Sequence, residues 1–201
     1  MLFPPKLIHQ HVRDLCERIV PGGTAVRVPV RVTRGAQINE CFPNVQSKIR
    51  ADGGSIQHGW TIWERPGLLI EGEFHGVWVS PDGRFVDVSP KLDGETEILF
   101  LPDPVEAFDE ANPMRRDNIR LAEYDHPVVH EFLRACEKIR QYEESCTDPA
   151  NPRQFTVDRY IYEPMLQRQA VLEARMRALP PGRNAPCRCG SGKKHKKCCG
   201  K

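Results

Sequence analysis

Two hydrophobic periodicities follow each other along the chain and predict an α+β fold. Apolar residues recur at helical spacing over residues 5–19, and a Pro-Gly-Gly turn at residues 21–23 ends that pattern. Residues 25–32, "AVRVPVRV", then alternate strictly, with the four valines on one face and the arginines on the other. This alternation predicts a half-buried strand. Pro29 places that strand at a sheet edge, because proline cannot donate to a ladder.

The rest of the chain extends the same pattern. Residues 56–101 predict a β meander, residues 105–110 predict a short helical piece, and the chain from residue 125 onward is mainly helical. We therefore expect an α+β body over residues 1–180, in which helices flank an antiparallel sheet. A small C-terminal module at residues 182–201 follows the body.

Composition restricts the class of protein. No run of about 18 apolar residues occurs, so no membrane span is predicted. The N-terminus lacks a basic segment followed by an apolar segment and a small-residue cleavage site, which predicts a cytoplasmic protein. Thiols stay reduced in that compartment, so clustered cysteines favour a metal site over disulfides.

Charge is divided unevenly between the body and the tail. Residues 181–201 contain seven Lys and Arg residues and no acidic residue, which leaves 22 basic and 27 acidic residues elsewhere, a formal charge of −5. A basic tail on an acidic body predicts an acidic protein surface or another polyanion as the partner of the tail. The alternative is that the lysines only keep a small module in solution. Specific nucleic-acid binding is not expected, because no aromatic residues lie between the lysines.

Four cysteines near the C-terminus have the spacing of a zinc site. The pattern C-x-C-x8-C-C is formed by Cys187, Cys189, Cys198 and Cys199. Four thiolates satisfy the tetrahedral preference of Zn²⁺, with each sulfur at about 2.3 Å from the metal. The glycines at positions 190 and 192 allow a sharp turn between the two pairs. His195 is an alternative ligand, although its place in the lysine run favours a side chain that faces solvent or a partner.

The segment that contains these cysteines resembles a known motif almost residue for residue. Residues 182–200, "GRNAPCRCGSGKKHKKCCG", are similar to the SEC-C motif, known from the end of the SecA translocation ATPase and from tails of other bacterial proteins. The resemblance implies a zinc-binding module and, as in SecA-type tails, an acidic surface such as that of the export chaperone SecB as a partner. It implies no ATPase, since the chain has no G-x-x-x-x-G-K-[ST] phosphate loop.

The body carries a thiol, an imidazole and a carboxylate in an order that suits nucleophilic chemistry. Cys41 lies at a predicted helix start, where the helix dipole favours a thiolate. Residues 80–84, "SPDGR", predict a three-residue hairpin loop, which places residue 75 opposite residue 89. His75 and Asp87 are then diagonal neighbours on one face, with backbone positions about 7–8 Å apart. Their side chains can close that gap.

A cysteine at a helix start, followed by a histidine and an aspartate on successive antiparallel strands, resembles the papain-like and transglutaminase-like cysteine enzymes. The resemblance implies Cys41 as the nucleophile, His75 as the base and Asp87 as the group that orients the imidazole. It also implies that the oxyanion donor beside the Cys41 amide is Gln37 or Asn39.

Alternatives remain for the side chains of this segment, which covers about residues 37–90. Glu71 or Glu73 shares the strand face of His75 and is an alternative partner to Asp87. His58 together with Cys41, His75 and Asp87 is an alternative site for a second metal ion. The segment also fits a related but inactive fold, in which the cysteine is a small buried side chain.

Three classes of function follow from these patterns. The first is a thiol hydrolase or acyltransferase on amide substrates, carried to its target by the zinc tail. The second is an adaptor whose body performs no chemistry. The third is a chaperone-like or translation-linked factor, whose basic tail contacts an acidic protein or the ribosome and its RNA.

Overall fold

The computed structural model describes residues 2–104, 116–148, 150–189, 191 and 193–201, and the side chains of residues 151–153 lie outside that description. Its helices are α1 (Gln10–Ile19), α2 (Cys41–Asp52), α3 (Pro127–Ser145) and α4 (Arg159–Ala178), with a 3₁₀ helix at His195–Lys197. Its strands are β1 (Val26–Pro29), β2 (Ser55–Arg65), β3 (Leu69–Val79), β4 (Phe85–Val86), β5 (Glu97–Pro102), β6 (Ile119–Ala122), β7 (Thr147–Asp148) and β8 (Asn151–Phe155). The helical piece predicted at residues 105–110 and the turn glycines at 190 and 192 lie outside the described residues.

The chain divides into two compact units. The first falls within Met1–Glu64 and Glu71–Phe108, and the second within Arg65–Ile70 and Asp109–Lys201. The second unit therefore consists of the turn between β2 and β3 and of the C-terminal half of the chain with the tail. The predicted division into a body of residues 1–180 and a separate tail stays a prediction.

The first unit is built on a sheet with the strand order β1-β5-β2-β3-β4. The pairs β1–β5, β2–β5 and β3–β4 are all antiparallel. The edge position predicted for β1 is confirmed, because β1 is the terminal strand of that order. Just beyond β1 and β4, an isolated parallel bridge joins Val30 to Asp87. This bridge fixes the backbone of Asp87, whose N–H donates to the carbonyl of Pro29.

An apolar core lies on one side of this sheet. It is formed by fully or almost fully buried side chains, namely Val28, Val30, Val77, Ile98 and Phe100. Trp63 and Phe85 are partly buried and pack against them. The alternation of residues 25–32 thus produces the expected buried face at two of the four valines, Val28 and Val30. Val26 and Val32 were expected on the same buried face and are instead exposed, because they lie at the start of the strand and beyond its pairing with β5.

The first helix is shorter than its hydrophobic pattern predicts. α1 begins at Gln10, whereas the periodicity starts at residue 5. Phe3 contributes to the difference, since its backbone N–H and C=O pair with those of Glu64 on β2, and the chain then bends at residues 6 and 7 before the helix begins. Backbone pairing to a distant strand here outweighs local helical periodicity.

The second unit contains a helix pair. α3 and α4 pack together, and the Gln169 amide donates to the sulfur of Cys136 at 3.2 Å. α4 begins after Asp158, whose carboxylate accepts from the N–H of Tyr160 and so caps the helix. In the same unit the N–H groups of Glu123 and Tyr124 donate to the carbonyl of Leu68. No helix among the described residues has the length and apolar character that a membrane crossing requires.

The α+β class predicted from the sequence is confirmed. The periodicity of 2 and the periodicity of 3.6 found along the chain correspond to an antiparallel sheet and to helices, respectively. The clustered cysteines at the C-terminus agree with the predicted small module.

Candidate functional site

Cys41 is the first residue of α2, as the sequence predicts. The helix start is held by Asn44, a buried side chain one turn further on. Its amide oxygen accepts from the N–H of Gln37 at 3.0 Å, and its amide nitrogen donates to the carbonyl of Gln37 at 2.8 Å and to Ser89 Oγ at 3.0 Å. Asn44 therefore ties the loop before Cys41 and the segment after Asp87 to the same helix turn.

His75 and Asp87 meet as the predicted hairpin register requires. The pairing of Val79 with Phe85 extends to residue 75 opposite residue 89, and Gly83 adopts the left-handed conformation, φ +83°, that the loop needs. His75 Nε2 lies 3.0 Å from Asp87 Oδ2. The two side chains are 8% and 0% exposed. The predicted register and proximity are confirmed, while a catalytic role for the pair is not tested by its geometry.

Asp87 has two further partners that sequence reasoning did not find. Its Oδ1 accepts from the N–H of Ser89 at 2.9 Å, and Lys91 Nζ lies 2.5 Å from the Oδ2 atom that also receives His75. Both residues follow within four positions of Asp87, so the spacing "DVSPK" was the available signal. Glu71 and Glu73, the alternative partners of His75, have no ion pair or hydrogen bond with it in the described part of the chain.

The charges at this cluster stabilise the ionised forms of both Asp87 and His75. Burial alone would raise the pKa of Asp87, but the charge and hydrogen bond of His75, together with those of Lys91, lower it to about 2. Burial alone would lower the pKa of His75, but the negative charges of Cys41 and Asp87 outweigh burial and the repulsion of Lys91, and raise it to about 9. The pair is therefore an imidazolium and a carboxylate at neutral pH.

Cys41 acts on His75 through charge and not through a hydrogen bond. A thiolate at Cys41 raises the pKa of the imidazole, which places the two groups within electrostatic range. Within the described residues, however, no hydrogen bond joins the Cys41 sulfur to either ring nitrogen. Because Nε2 is occupied by Asp87, Nδ1 is the nitrogen available to a reacting group.

The two candidate oxyanion donors differ from the expected arrangement. The Gln37 side chain is exposed and donates to the carbonyl of Gly35 at 3.1 Å. Asn39 is exposed and adopts a left-handed conformation with φ 63°. His58, the extra residue of the alternative metal site, packs against the rings of Phe42 and Phe74. It belongs to none of the potential metal-ligand groups that the described residues form.

The four cysteines of the tail come together. One ligand atom from each lies within 4.8 Å of all the others in the group Cys187, Cys189, Cys198 and Cys199. The sulfurs of Cys189 and Cys198 are 3.5 Å apart, and those of Cys198 and Cys199 are 3.9 Å apart. A tetrahedron with metal–sulfur bonds of about 2.3 Å has edges of about 3.8 Å, so these separations fit a tetrahedral metal ion. All four cysteines are free of disulfides.

The backbone of the tail explains why these sulfurs converge. Pro186 and Lys194 form an antiparallel bridge, and the N–H of Cys187 donates to the carbonyl of Lys193 at 2.7 Å. The following 3₁₀ helix, His195–Lys197, delivers Cys198 and Cys199 back to the first pair. Gly200 packs so closely on the His195 ring that a Cβ there would lie 2.6 Å from it.

Hydrogen bonds prepare part of this cluster for metal binding. The backbone N–H groups of Cys189 and Cys199, with the His195 side chain, lower the pKa of Cys187 to about 5. Ser191 and neighbouring groups lower the pKa of Cys189. Hydrogen bonds with the other three cysteines raise the pKa of Cys199 to about 12. Thiolates are the metal-binding form, so a divalent cation would displace the remaining protons. The residues present fit Zn²⁺, and His195 lies beside Cys187 Sγ at 3.7 Å instead of replacing a cysteine.

The four lysines between the two cysteine pairs face solvent. They are Lys193, Lys194, Lys196 and Lys197. None of them forms an ion pair within the part of the chain that the structure describes. No acidic residue of the described ranges therefore neutralises their charges.

Comparison with known proteins identifies a motif in the tail. The family model of the SEC-C motif matches residues 183–201. Protein translocase subunit SecA from two strains of Dehalococcoides mccartyi is 34% identical over 106 residues, which cover 49% of this chain and 11% of the relative. A UPF0225 protein of Vibrio cholerae is 74% identical over 23 residues, 11% of this chain and 15% of the relative.

The chain thus spans 11% and 15% of the length of these curated relatives. No solved structure matches it significantly. The matched segment and the cysteine cluster coincide, and residues 183–201 are accordingly a SEC-C motif whose four cysteines are placed to hold a metal ion.

Proposed function

We propose that this chain binds Zn²⁺ through its SEC-C motif, and that its first unit is a cytoplasmic thiol hydrolase or acyltransferase that acts on amides. One observation carries the catalytic part. The imidazole of His75 is hydrogen-bonded to a buried carboxylate and feels the charge of a cysteine at a helix start. A nucleophile, a base and a group that orients the base are the minimum set for covalent acyl transfer.

The chemistry assigns one role to each group. The Cys41 thiolate forms a bond to the amide carbonyl carbon, whose oxygen becomes an oxyanion. When the carbonyl re-forms, the carbon–nitrogen bond breaks, and the proton on His75 Nδ1 passes to the leaving nitrogen. A thioester and a free amine result. Water or a second amine then attacks the thioester carbon while His75 accepts its proton, the carbon–sulfur bond breaks, and Cys41 leaves as a thiolate. Asp87 keeps Nε2 occupied, so that Nδ1 faces the reaction.

The oxyanion would form near the start of α2. The N–H of Cys41 belongs to the first turn, where helix N–H groups lack carbonyl partners within the helix. This N–H supports the developing charge, and Asn39 or Gln37 supplies a second donor. Gln37 can do so only by leaving the carbonyl of Gly35, to which it now donates.

The zinc would be structural. Four cysteine sulfurs fill a tetrahedral coordination sphere and leave no position for a substrate. A segment of this size buries little apolar surface, so bound metal would supply most of the free energy that orders it.

Alkylation of the intact protein tests the catalytic proposal. We expect iodoacetamide at pH 6 to modify Cys41 about tenfold faster than Cys16, Cys136 and Cys146, measured by peptide mass spectrometry. Cys16 is a suitable internal reference, because burial raises its pKa to about 11. His75→Ala should slow modification of Cys41 about tenfold, because it removes the cation beside the thiolate. Asp87→Asn should have a smaller effect in the same direction. Equal rates at the body cysteines of the native protein would rule the proposal out.

A second candidate function rests on the exposed lysines of the tail. The tail would then be an adaptor that binds an acidic protein surface or another polyanion, with or without catalysis in the first unit. Poly-L-glutamate serves as the probe. Exposed charges are screened over about 10 Å at 0.1 M salt, so binding should weaken steeply as salt rises. It should also weaken when Lys193, Lys194, Lys196 and Lys197 become serine. Affinity that is indifferent to both changes would exclude this function.

A further inference from the structure

Lys91 is an unusual third partner of the Asp87 carboxylate. Its ammonium lies 2.5 Å from Asp87 Oδ2, and its side chain is only 10% exposed. Lysine is almost never buried unless it is paired, because removing its charge from water is costly. The same spacing of four residues joins Lys48 to Asp52 on α2, but there the lysine is 25% exposed and its carboxylate partner is half exposed. The Lys91 contact is thus a buried ion pair and not a surface one.

Two side chains, those of Lys91 and His75, contact the same oxygen of the Asp87 carboxylate. Lys91 Nζ and His75 Nε2 both approach Oδ2, while the N–H of Ser89 holds Oδ1. The backbone of Asp87 is fixed independently by its bridge to Val30. Removing the charge of Lys91 therefore changes the electrostatics of the pair while other contacts keep Asp87 in place.

We propose that Lys91 is a positioning residue of the Cys-His-Asp site, whose ammonium shares the Asp87 carboxylate with His75 and so allows the imidazole to give up its proton. This inference rests on the proposed function. A histidine that is paired only with a buried carboxylate and a thiolate holds its proton strongly. Lys91 is the positive charge in the cluster that opposes this.

The role of Lys91 follows from the two halves of the reaction. Before acyl transfer, Asp87 is balanced by the imidazolium and by Lys91. When the His75 proton passes from Nδ1 to the leaving nitrogen and the carbon–nitrogen bond breaks, the imidazole becomes neutral. Without Lys91 the buried carboxylate would then keep only neutral donors, which stabilise a charge less well. The ammonium of Lys91 lies against Asp87 Oδ2 and so balances the carboxylate in both halves.

The titratable groups that act on His75 are Cys41 on α2, the carboxylate of Asp87 and the ammonium of Lys91. Titration of the His75 ring in the full-length protein, followed by NMR, measures the net effect of these three groups as the pH midpoint of the imidazole. Lys91→Met removes the charge and keeps the chain length, so the midpoint should rise by about one pH unit. Lys91→Gln, which keeps a hydrogen-bond donor, should produce the same rise and serves if the methionine variant does not fold. Lys91→Arg and the matched control Lys48→Met should leave the midpoint within about 0.3 units.

Two results separate this inference from the proposed function. A midpoint that is unchanged in the neutral variants, or that moves equally in Lys48→Met, overturns the role of Lys91. Alkylation of Cys41 at the same rate as the other body cysteines overturns the proposed function, even where the His75 midpoint moves as expected. A shift confined to the neutral variants, together with fast alkylation of Cys41, supports both.

Discussion

At the scale of single residues, burial makes the His75–Asp87 pair sensitive to pH. The carboxylate is fully buried and the imidazole nearly so, yet both are ionised at neutral pH because each compensates the other. A residue type alone does not reveal this, since an exposed histidine would be mostly neutral. The environment that changes its charge comes from Cys41, Asp87 and Lys91 together.

The raised pKa of His75 predicts how stability depends on pH. The folded protein holds the His75 proton up to about pH 9, whereas the unfolded chain releases it near its ordinary value. The stabilisation is fully present below about pH 6.5 and is lost as pH rises to about 9. Denaturation in urea should show a free energy of unfolding that falls between pH 6 and pH 9.5 by on the order of 3 kcal/mol more in the native protein than in His75→Gln.

Asp87 gives the opposite sign at the acid end. Its lowered pKa contributes stability above about pH 4 that is lost as pH falls towards 2.

The His75→Gln comparison has its own control, because the two proteins share every other titrating group. Only His75 and the Cys41 thiol that interacts with it then differ between pH 6 and pH 9.5. Parallel stability curves for the two proteins over that range would contradict the raised pKa.

At the scale of elements, the turn between β2 and β3 is a docking point for the tail within the second unit. Gly67 has φ +68°, and a Cβ at this position would lie 2.5 Å from the carbonyl oxygen of Pro186. The same glycine donates its N–H to Glu123 Oε2 at 2.8 Å. Tyr124 packs against Gly182, where a Cβ would lie 2.7 Å from the ring. The SEC-C motif is therefore held against its own chain immediately before its first cysteine.

This docking gives a prediction with a matched control. Gly67→Ala and Gly83→Ala both place a side chain in the left-handed region, which costs about 1–2 kcal/mol. Only Gly67→Ala also meets the tail, since nothing lies within 4 Å of a Cβ at Gly83. We expect Gly67→Ala to lose more stability and to release zinc to a chelator several-fold faster, because it displaces the residues before Cys187. Equal rates of zinc release from the two variants would show that the turn does not support the metal site.

At the scale of the whole molecule, the chain combines an acidic part with a basic tail. Four cysteinates and one Zn²⁺ lower the formal charge of residues 181–201 from +7 to about +5, so the tail remains basic after metal binding. The charge of the rest is −5. Because the four lysines between the cysteine pairs form no ion pair within the described residues, their charge is available for an external partner.

The metal content of the whole protein is the clearest prediction at this scale. Elemental analysis should find about one zinc per chain after purification without chelator. Cys187→Ser combined with Cys199→Ser should remove most of it, whereas Cys146→Ser, outside the cluster, should leave it unchanged. Full zinc content in the double variant, or equal loss in the control, would show that another site holds the metal.

The sequence by itself determined the parts of this protein that depend on local spacing. The cysteine spacing identified the four-cysteine cluster, because ligands within thirteen residues can surround one metal ion without help from distant parts of the chain. The loop "SPDGR" determined the register that brings His75 to Asp87, because loop length fixes how a hairpin pairs. Alternation and helical periodicity predicted the α+β class, because both patterns depend on residues that are close together in the chain.

Only the tertiary structure decided the features that depend on distant parts of the chain. Pairing of Phe3 with Glu64 shortened α1, and the limited extent of β1 pairing left Val32 exposed. The sequence around Lys91 gave no sign that its ammonium would be largely buried against the carboxylate of Asp87. The docking of the tail on Gly67 has no sequence signal either. These features depend on burial and on contacts between segments that are far apart in the chain. Local periodicity gives no information about either of them.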